Sequence, residues 1–518
     1  MRARVTVAVA SALLTGALGS SAVAGLGAPT EAGAGAASAA AVSPSSDRSE
    51  AALRRAKALL EDARPAGGEL TRALLRVVRT YPGLSAAGRR AAARLLSRPT
   101  DRRDPEGNSW RAPEAAASPA CTTTFCVHWV ERTRDAPSLR DVNGSADGDG
   151  VPDYVEVALL IAEHAFAVEN GELGWRQPKS DRRLGGRGGK TDIYLADIGA
   201  AGLFGYVAPD RAQARAGRFP RSLYSYLVLD DDYSRRQFSG TLPAESLAVT
   251  LAHEYNHVLG FSYDSFQDAW MSEATATWME DQVFDSVNDY LRYMGRWVRR
   301  GRVPLTANSI KIYGSAVWNA WLERSYGRDL IRRAWAGARR SRPAGFSVES
   351  YGRAIRRAGP SDFNRDFARF AADLAEWRTA SVFPEGRTYP DVPRSGRLGL
   401  GRASVRRLNH TTFRLLGIRP TRARALRVTA RVPAGVTAAL ALVGRLGTET
   451  RGRPEVRMRL ARGGGRLSLT LRRPDRFQRI TAIAINADTK QRGFSPRTFD
   501  WRYLRDRIPF TLRARLRR

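Results

Sequence analysis

From about Ser395 to the C-terminus the apolar residues change period. Ahead of that point the long apolar patterns recur every three or four residues. Beyond it FRLLGI, ALRVTARV, TAALALV, RLSLTLR, RITAIAINA and FTLRARL follow one another as short runs separated by Gly, Pro and Asn-Ala-Asp breaks. Strand-type segments with turn residues between them, and no helical segment to cross over, predict an antiparallel β-sandwich for residues 395–518. Within residues 120–390 strands come first and helices afterwards, which predicts the α+β class.

Upstream, FCVHWV at 125–130, TDIYLADI at 191–198 and SYLVLDD at 225–231 read as strands, and helical patterns cover 153–168 and most of 243–380. Residues 120–394 are therefore expected to form one mixed domain. Of its strands, 225–231 is expected at a sheet edge, where it can pair with an extended substrate. Earlier still, Leu70, Leu74, Val77, Val78 and Tyr81 share one helical stripe. Pro82-Gly83 breaks that helix, and Ser85 suits the N-cap of the next. Residues 25–119 thus read as an Ala/Gly/Ser leader, a helical unit and a Pro-rich linker. A propeptide and a permanent docking segment both fit that pattern.

Arg2 and Arg4, an apolar core from Val5 to Leu18, and Ala22-Val23-Ala24 fit a secretory signal peptide over residues 1–24. The mature chain is then expected to be secreted and extracellular, with no membrane span. Export puts Cys121 and Cys126, the two cysteines of the chain, in an oxidising compartment, where a small-loop disulfide is the leading expectation and a metal pair, with no second ligand pair nearby, the weaker one. The formal charge is +33, and the scarcity of Lys beside Arg reflects GC-rich codon usage as readily as function. Its placement is more telling. Residues 395–518 hold 31 Lys and Arg against 6 Asp and Glu, or +25. An anionic cell-surface polymer is the partner this implies. No zinc-finger, helix-turn-helix or RRM wording supports specific nucleic-acid recognition, and GGRGGK at 185–190 lacks Walker spacing.

The chemistry is concentrated in LAHEYNHVLGF, where His253-Glu254-x-x-His257 forms an HExxH motif. Pro243 suits the first turn of its helix and Gly260 its end, with Leu247, Leu251, Tyr255 and Val258 as the buried stripe. Histidines at i and i+4 stack on one face, where both imidazoles reach one tetrahedral Zn²⁺. Glu254 sits one residue round from the first ligand, placed to take a proton from water rather than to bind the metal. Tyr occupies position 263, so the metzincin HExxHxxGxxH pattern is absent. A third ligand must come from elsewhere. Glu273, in WMSEATATWMED, can return on a second helix after a short loop; Glu280 and Asp281 are the alternatives. Glu280 also suits a hydrogen-bond partner for a ligand histidine.

HExxH followed by W-x-x-E-A-x-A-x-W-x-E resembles the gluzincin metallopeptidases. The resemblance implies a zincin-like catalytic domain in which the glutamate before the small residue, Glu273 here, is the third zinc ligand. The segments DIYLADIG, GYVAPD and YLVLDDDY are similar to those of a group of exported bacterial metalloproteases. The helix KIYGSAVWNAWLERSYG resembles the one that supplies an oxyanion-stabilising tyrosine in the aminopeptidase branch, which makes Tyr313 the candidate here. His128 is an alternative donor, and His164 and His410 read as structural.

SADGDGVPDYVE carries a second metal pattern. With Gly150 at position 6 of a loop, Asp147, Asp149, Asp153 and Glu156 fall at EF-hand-like positions 3, 5, 9 and 12, although Ser145 stands where Asp is wanted. Calcium is the expected ion, and an Asp/Gly turn before a helix is the plainer explanation. The leading expectation is a secreted zinc peptidase acting on protein or peptide substrate, with zinc at His253, His257 and Glu273. The competing one is a surface adhesin or anionic-polymer-binding protein in which the zinc site is structural.

Overall fold

The computed structural model describes residues 44–61, 69–101, 118–137, 150–338 (apart from 187, 215, 216, 239 and 241), 346–378, 383–447, 454–489 and 506–517. The expected signal peptide, most of the leader and linker, and Asp147 and Asp149 lie outside the described residues. No helix among them is long and apolar enough to cross a membrane. The architecture is α+β, with helices predominating in the first part and β-sheets at the C-terminal end.

The chain enters through α1 (Pro44–Glu61), α2 (Glu69–Thr80) and α3 (Ala86–Leu95). Leu70, Leu74, Val77 and Val78 of α2 are buried, as the stripe predicts. The Ser85 hydroxyl caps α3 by accepting from the Gly88 N–H. The first sheet contains β1 (Ala120–Cys121), β2 (Phe125–His128), β3 (Thr191–Ala196), β4 (Gly205–Pro209) and β5 (Ser225–Asp230), in the order β1-β2-β3-β5-β4. Strands β2, β3 and β5 run parallel, and α4 (Asp153–Phe166) lies between β2 and β3 in the chain. Both edge strands are antiparallel to their neighbours. The Cys121–Cys126 disulfide joins directly opposed residues of β1 and β2.

One expectation fails here. The 225–231 strand is not an edge: β5 lies between β3 and β4, with Leu227 paired to Ile193 on one side and Val207 on the other. The edge is β4, whose five residues, GYVAP, are too short and too bounded by Gly and Pro to read as a strand. Pro209 is tolerated because an edge residue owes no ladder hydrogen bond on its outer side.

Helix α5 (Pro243–Asp264) packs on β4 and β5, and α6 (Ala269–Val283) packs on α5. Helices α7 (Leu291–Arg299), α8 (Lys311–Gly314), α9 (Ala316–Tyr326), α10 (Asp329–Ala338), α11 (Phe346–Ala358) and α12 (Phe363–Asp373) follow in the chain, the last of them against β10, β11 and β13 of the C-terminal part. Gly260 does not end α5. A Cβ there would lie 3.2 Å from the Trp335 ring, so the missing side chain lets α10 approach while the helix runs on to Asp264. Nor is the burial of α5 a stripe: every residue from Ser246 to Asp264 is buried.

The C-terminal strands are β6 (Arg394–Arg397), β7 (Ala403–Leu408), β8 (Thr412–Ile418), β9 (Ala425–Val432), β10 (Ala438–Arg445), β11 (Glu455–Ala461), β12 (Gly465–Arg472), β13 (Arg479–Asn486) and β14 (Ile508–Arg517). They form two sheets, β11-β10-β13-β8-β6 and β12-β9-β14-β7. All pairings are antiparallel except β6 with β8, which is parallel. Leu440 and Leu442 of β10 share one core with Val428 of β9 and Leu512 of β14, which stacks the sheets face to face. Ala439, Ala441 and Val443, on the other face of β10, join the core of the helical part instead. Burial on both faces explains why β10 is a continuous apolar run.

Candidate metal centre

Helices α5 and α6 bring three electron-pair donors together. His253 and His257 stack one turn apart on α5, with their Nε2 atoms 3.1 Å from each other. Oε2 of Glu273, on α6, lies 3.4 Å from the first Nε2 and 3.6 Å from the second. A tetrahedral ion with ligands at about 2.0–2.1 Å holds them roughly 3.3 Å apart, so the triangle has the size a metal requires. Glu273 is fully buried, and neither of its carboxylate oxygens has a hydrogen-bond partner. With Arg72 no nearer than 3.8 Å as its guanidinium partner, the buried carboxylate can take a metal ion on its Oε2 side.

The outer nitrogens of the histidines are also engaged. Nδ1 of His253 lies 2.6 Å from Oε1 of Glu280, and Nδ1 of His257 lies 3.1 Å from Oγ of Ser272. When Glu280 is ionised the Nδ1–H donates to it, and Nε2 is the nitrogen that faces the cluster. Glu280 therefore orients a candidate ligand and stands outside the donor group. Asp281 groups with Asp285 and Glu385 instead. Within this cluster the residues able to hold a metal are His253, His257 and Glu273.

Charge is tightly balanced here. Burial alone would raise the Glu273 carboxyl, but Arg72 and the two histidines outweigh it and hold the pKa well below the usual carboxylate range. Burial disfavours charge on His253, yet Glu273 and Glu280 lift its pKa well above the ordinary imidazole value. Burial raises Glu280 to about 7. It also raises Glu254, against the pull of His257 and His253.

Glu254 and Tyr313 both adjoin the cluster. They line, with His253, Glu280 and Gly205, a small cavity of about 50 Å³. The Tyr313 ring lies 6.3 Å from that of His253 and stacks on Tyr293. Burial keeps its hydroxyl protonated. His128 lies elsewhere, 2.8 Å from Oδ1 of Asp192 and stacked on Tyr194. His164 and His410 meet the Val283 carbonyl and Asp506. Of the calcium-pattern residues, Asp153 and Glu156 occupy the first turn of α4.

Two features escaped the sequence reading. The first is α2, which lies across the site. Thr71 Oγ1 accepts from the Val207 N–H of β4 at 3.0 Å and stands 3.5 Å from Oε2 of Glu254. Arg72 lies 3.8 Å from Oε1 of Glu273 and over the Tyr313 ring at 5.6 Å. The second is Arg98, 1% exposed and bonded to Asp181, Asp192 and Asp210. Neither stands in a motif; an apolar stripe announces that a helix docks but not on what. A scan against protein-family models finds no match to this chain, and a search of curated proteins finds none either.

Proposed function

We propose that the chain is a secreted zinc metallopeptidase of the gluzincin type, with a zincin-like catalytic domain over residues 120–394. The observation that carries this reading is the buried His253–His257–Glu273 triangle with Glu254 beside it and outside it. Three protein ligands leave a tetrahedral ion one open position, and a purely structural site needs no adjacent base. Zinc there would supply Lewis-acid polarisation of water and of the substrate carbonyl. Glu254 takes the proton of the attacking water and returns it to the leaving nitrogen, and burial tunes its pKa toward that exchange. The Tyr313 hydroxyl, protonated through burial, donates to the developing oxyanion. The outer edge of β4 offers backbone groups to an extended peptide.

Glu254→Gln should retain zinc and lose peptide hydrolysis by at least about 100-fold. Glu273→Ala should lose zinc as measured by elemental analysis. Zinc retained at full stoichiometry in the second variant would sink the ligand assignment. Calcium at Asp147, Asp149, Asp153 and Glu156 belongs to the same reading, and a melting temperature indifferent to added calcium would remove it.

A second reading, binding of an anionic cell-surface polymer, is favoured by the outer face of the β12-β9-β14-β7 sheet. There Arg427 sits directly opposite Arg515, and Arg431 opposite Arg466, with Arg472 and Arg513 on the same face. No Asp or Glu occurs in any of the four strands. Like charges paired across strands are unfavourable until an anion bridges them. Among the described residues of these four strands no exposed side chain is aromatic, so this face itself offers arginines and no platform on which a base could stack. Retention on poly(glycerol phosphate) should weaken steeply with salt and fall in Arg431→Glu/Arg515→Glu. Equal retention of that variant would exclude this face.

A further inference from the structure

The peptidase reading leaves the position of α2 unexplained, and the following inference rests on that reading. With α2 in place, Glu273, His257, Glu254 and His253 are 0, 1, 3 and 8% exposed, and the cavity lined by His253, Glu254 and Tyr313 holds only about 50 Å³, too little for a peptide. Its contacts are made to the parts of the site a substrate would use. The Val207 N–H on the outer side of β4, where an extended peptide would place a carbonyl, is occupied by the Thr71 hydroxyl. The same hydroxyl lies against the carboxylate of Glu254. Arg72 covers Tyr313 and approaches Glu273. One turn of α2 thus meets the edge strand, the base, the candidate oxyanion donor and a metal ligand.

Beyond α2 the chain is fastened. Arg98, in a cluster of three buried carboxylates, and the Tyr226 hydroxyl bonded to the Ser97 carbonyl hold the end of the N-terminal unit on the catalytic sheet. Between α2 and this anchor, Tyr81–Gly83 forms a single turn with Pro82 exposed. A cavity of about 210 Å³, lined by Arg55, Arg72, Arg76, Ser272 and Glu273, separates α1 and α2 from α6 beside the metal group, so the fit on this side is incomplete.

We propose that α2 is an intramolecular plug of the active site, anchored through Arg98 and opened by displacement or cleavage at the Tyr81–Gly83 turn. The segment that leaves is α1–α2; α3 and Arg98 stay.

The test uses the full chain loaded with zinc, a version with a protease site inserted at Pro82-Gly83, and Leu74→Asp/Val78→Asp, which weakens the buried stripe of α2. Binding of a hydroxamate probe and hydrolysis of a peptide mixture are measured in each. Cleavage of the inserted site in the folded protein, followed by dilution, should raise probe affinity and hydrolysis at least 10-fold. The double variant should do so uncut, and a synthetic 69–80 peptide should reverse both effects. Equal probe binding before and after opening would overturn the plug. A rise in probe binding with no peptide cut would uphold the plug and overturn the peptidase reading. No probe binding by any form would overturn both.

Discussion

At the scale of single residues, the metal group depends on partners that bind no metal. Glu280 fixes the His253 ring through Nδ1. Glu280→Gln should weaken zinc affinity about 10–100-fold with the fold intact, and competition with a fluorescent chelator measures this directly. Undiminished affinity would mean that the ring is held by packing alone. Lys311 gives a second, independent prediction. It is buried, donates to the Val303 carbonyl, and burial with Arg414 nearby lowers its pKa to about 7. Between about pH 7 and its ordinary value near 10.4, the unfolded chain binds a proton that the native chain does not. Stability should therefore rise with pH across that window and be lowest at and below pH 7. Lys311→Met should flatten the slope and stabilise the protein at pH 7 by about 1–3 kcal/mol. Urea unfolding at a series of pH values checks both.

At the scale of elements, β4 and α5 meet through a missing side chain. A Cβ on Gly205 would come within 2.8 Å of Thr250 and 3.0 Å of the Glu254 side chain. Gly205→Ala should cost about 1–3 kcal/mol of stability and, on the proposed peptidase reading, lower turnover while zinc content stays whole, because the displaced Glu254 lies outside the candidate ligand group. Loss of zinc in that variant would mean that α5 itself had shifted. This contact also marks how far the sequence carries. HExxH at helical spacing places His253 and His257 on one face, and the second helix returns Glu273 to them, because both facts follow from local periodicity and a short loop. The edge strand was illegible, since GYVAP is held in extended form by pairing with β5 rather than by its own residues. The end of α5 was misread for a related reason. Gly260 stops a helix in isolation, but here Trp335 occupies the space that its side chain would take. The strands β8, β9, β10, β12, β13 and β14 were each visible as apolar runs. Strands β6, β7 and β11 were not, because almost none of their residues is buried.

At the scale of the whole molecule, the described residues form one compact unit, and Arg98 is its most consequential charge. Arg98→Ala leaves Asp181, Asp192 and Asp210 buried without their cation and should cost about 3–5 kcal/mol. Thermal unfolding measures the loss, and a change under about 1 kcal/mol would show that the carboxylates take up protons and need no partner. The C-terminal sheets are as firmly attached. One face of β10 and β13 completes the core of the helical part through Ala439, Ala441, Ile483 and Ile485, and Glu376 with Arg445 and Arg479 pairs across the same boundary, so the two are held without a hinge. That shared core has a mechanical meaning. A molecule without a joint cannot swivel, so a surface that captured the arginine face would also fix the height and bearing at which the candidate metal group stands above it. Reach would then be set by the thickness of the protein, and the targets within range would be chosen by where they stand as much as by what they are.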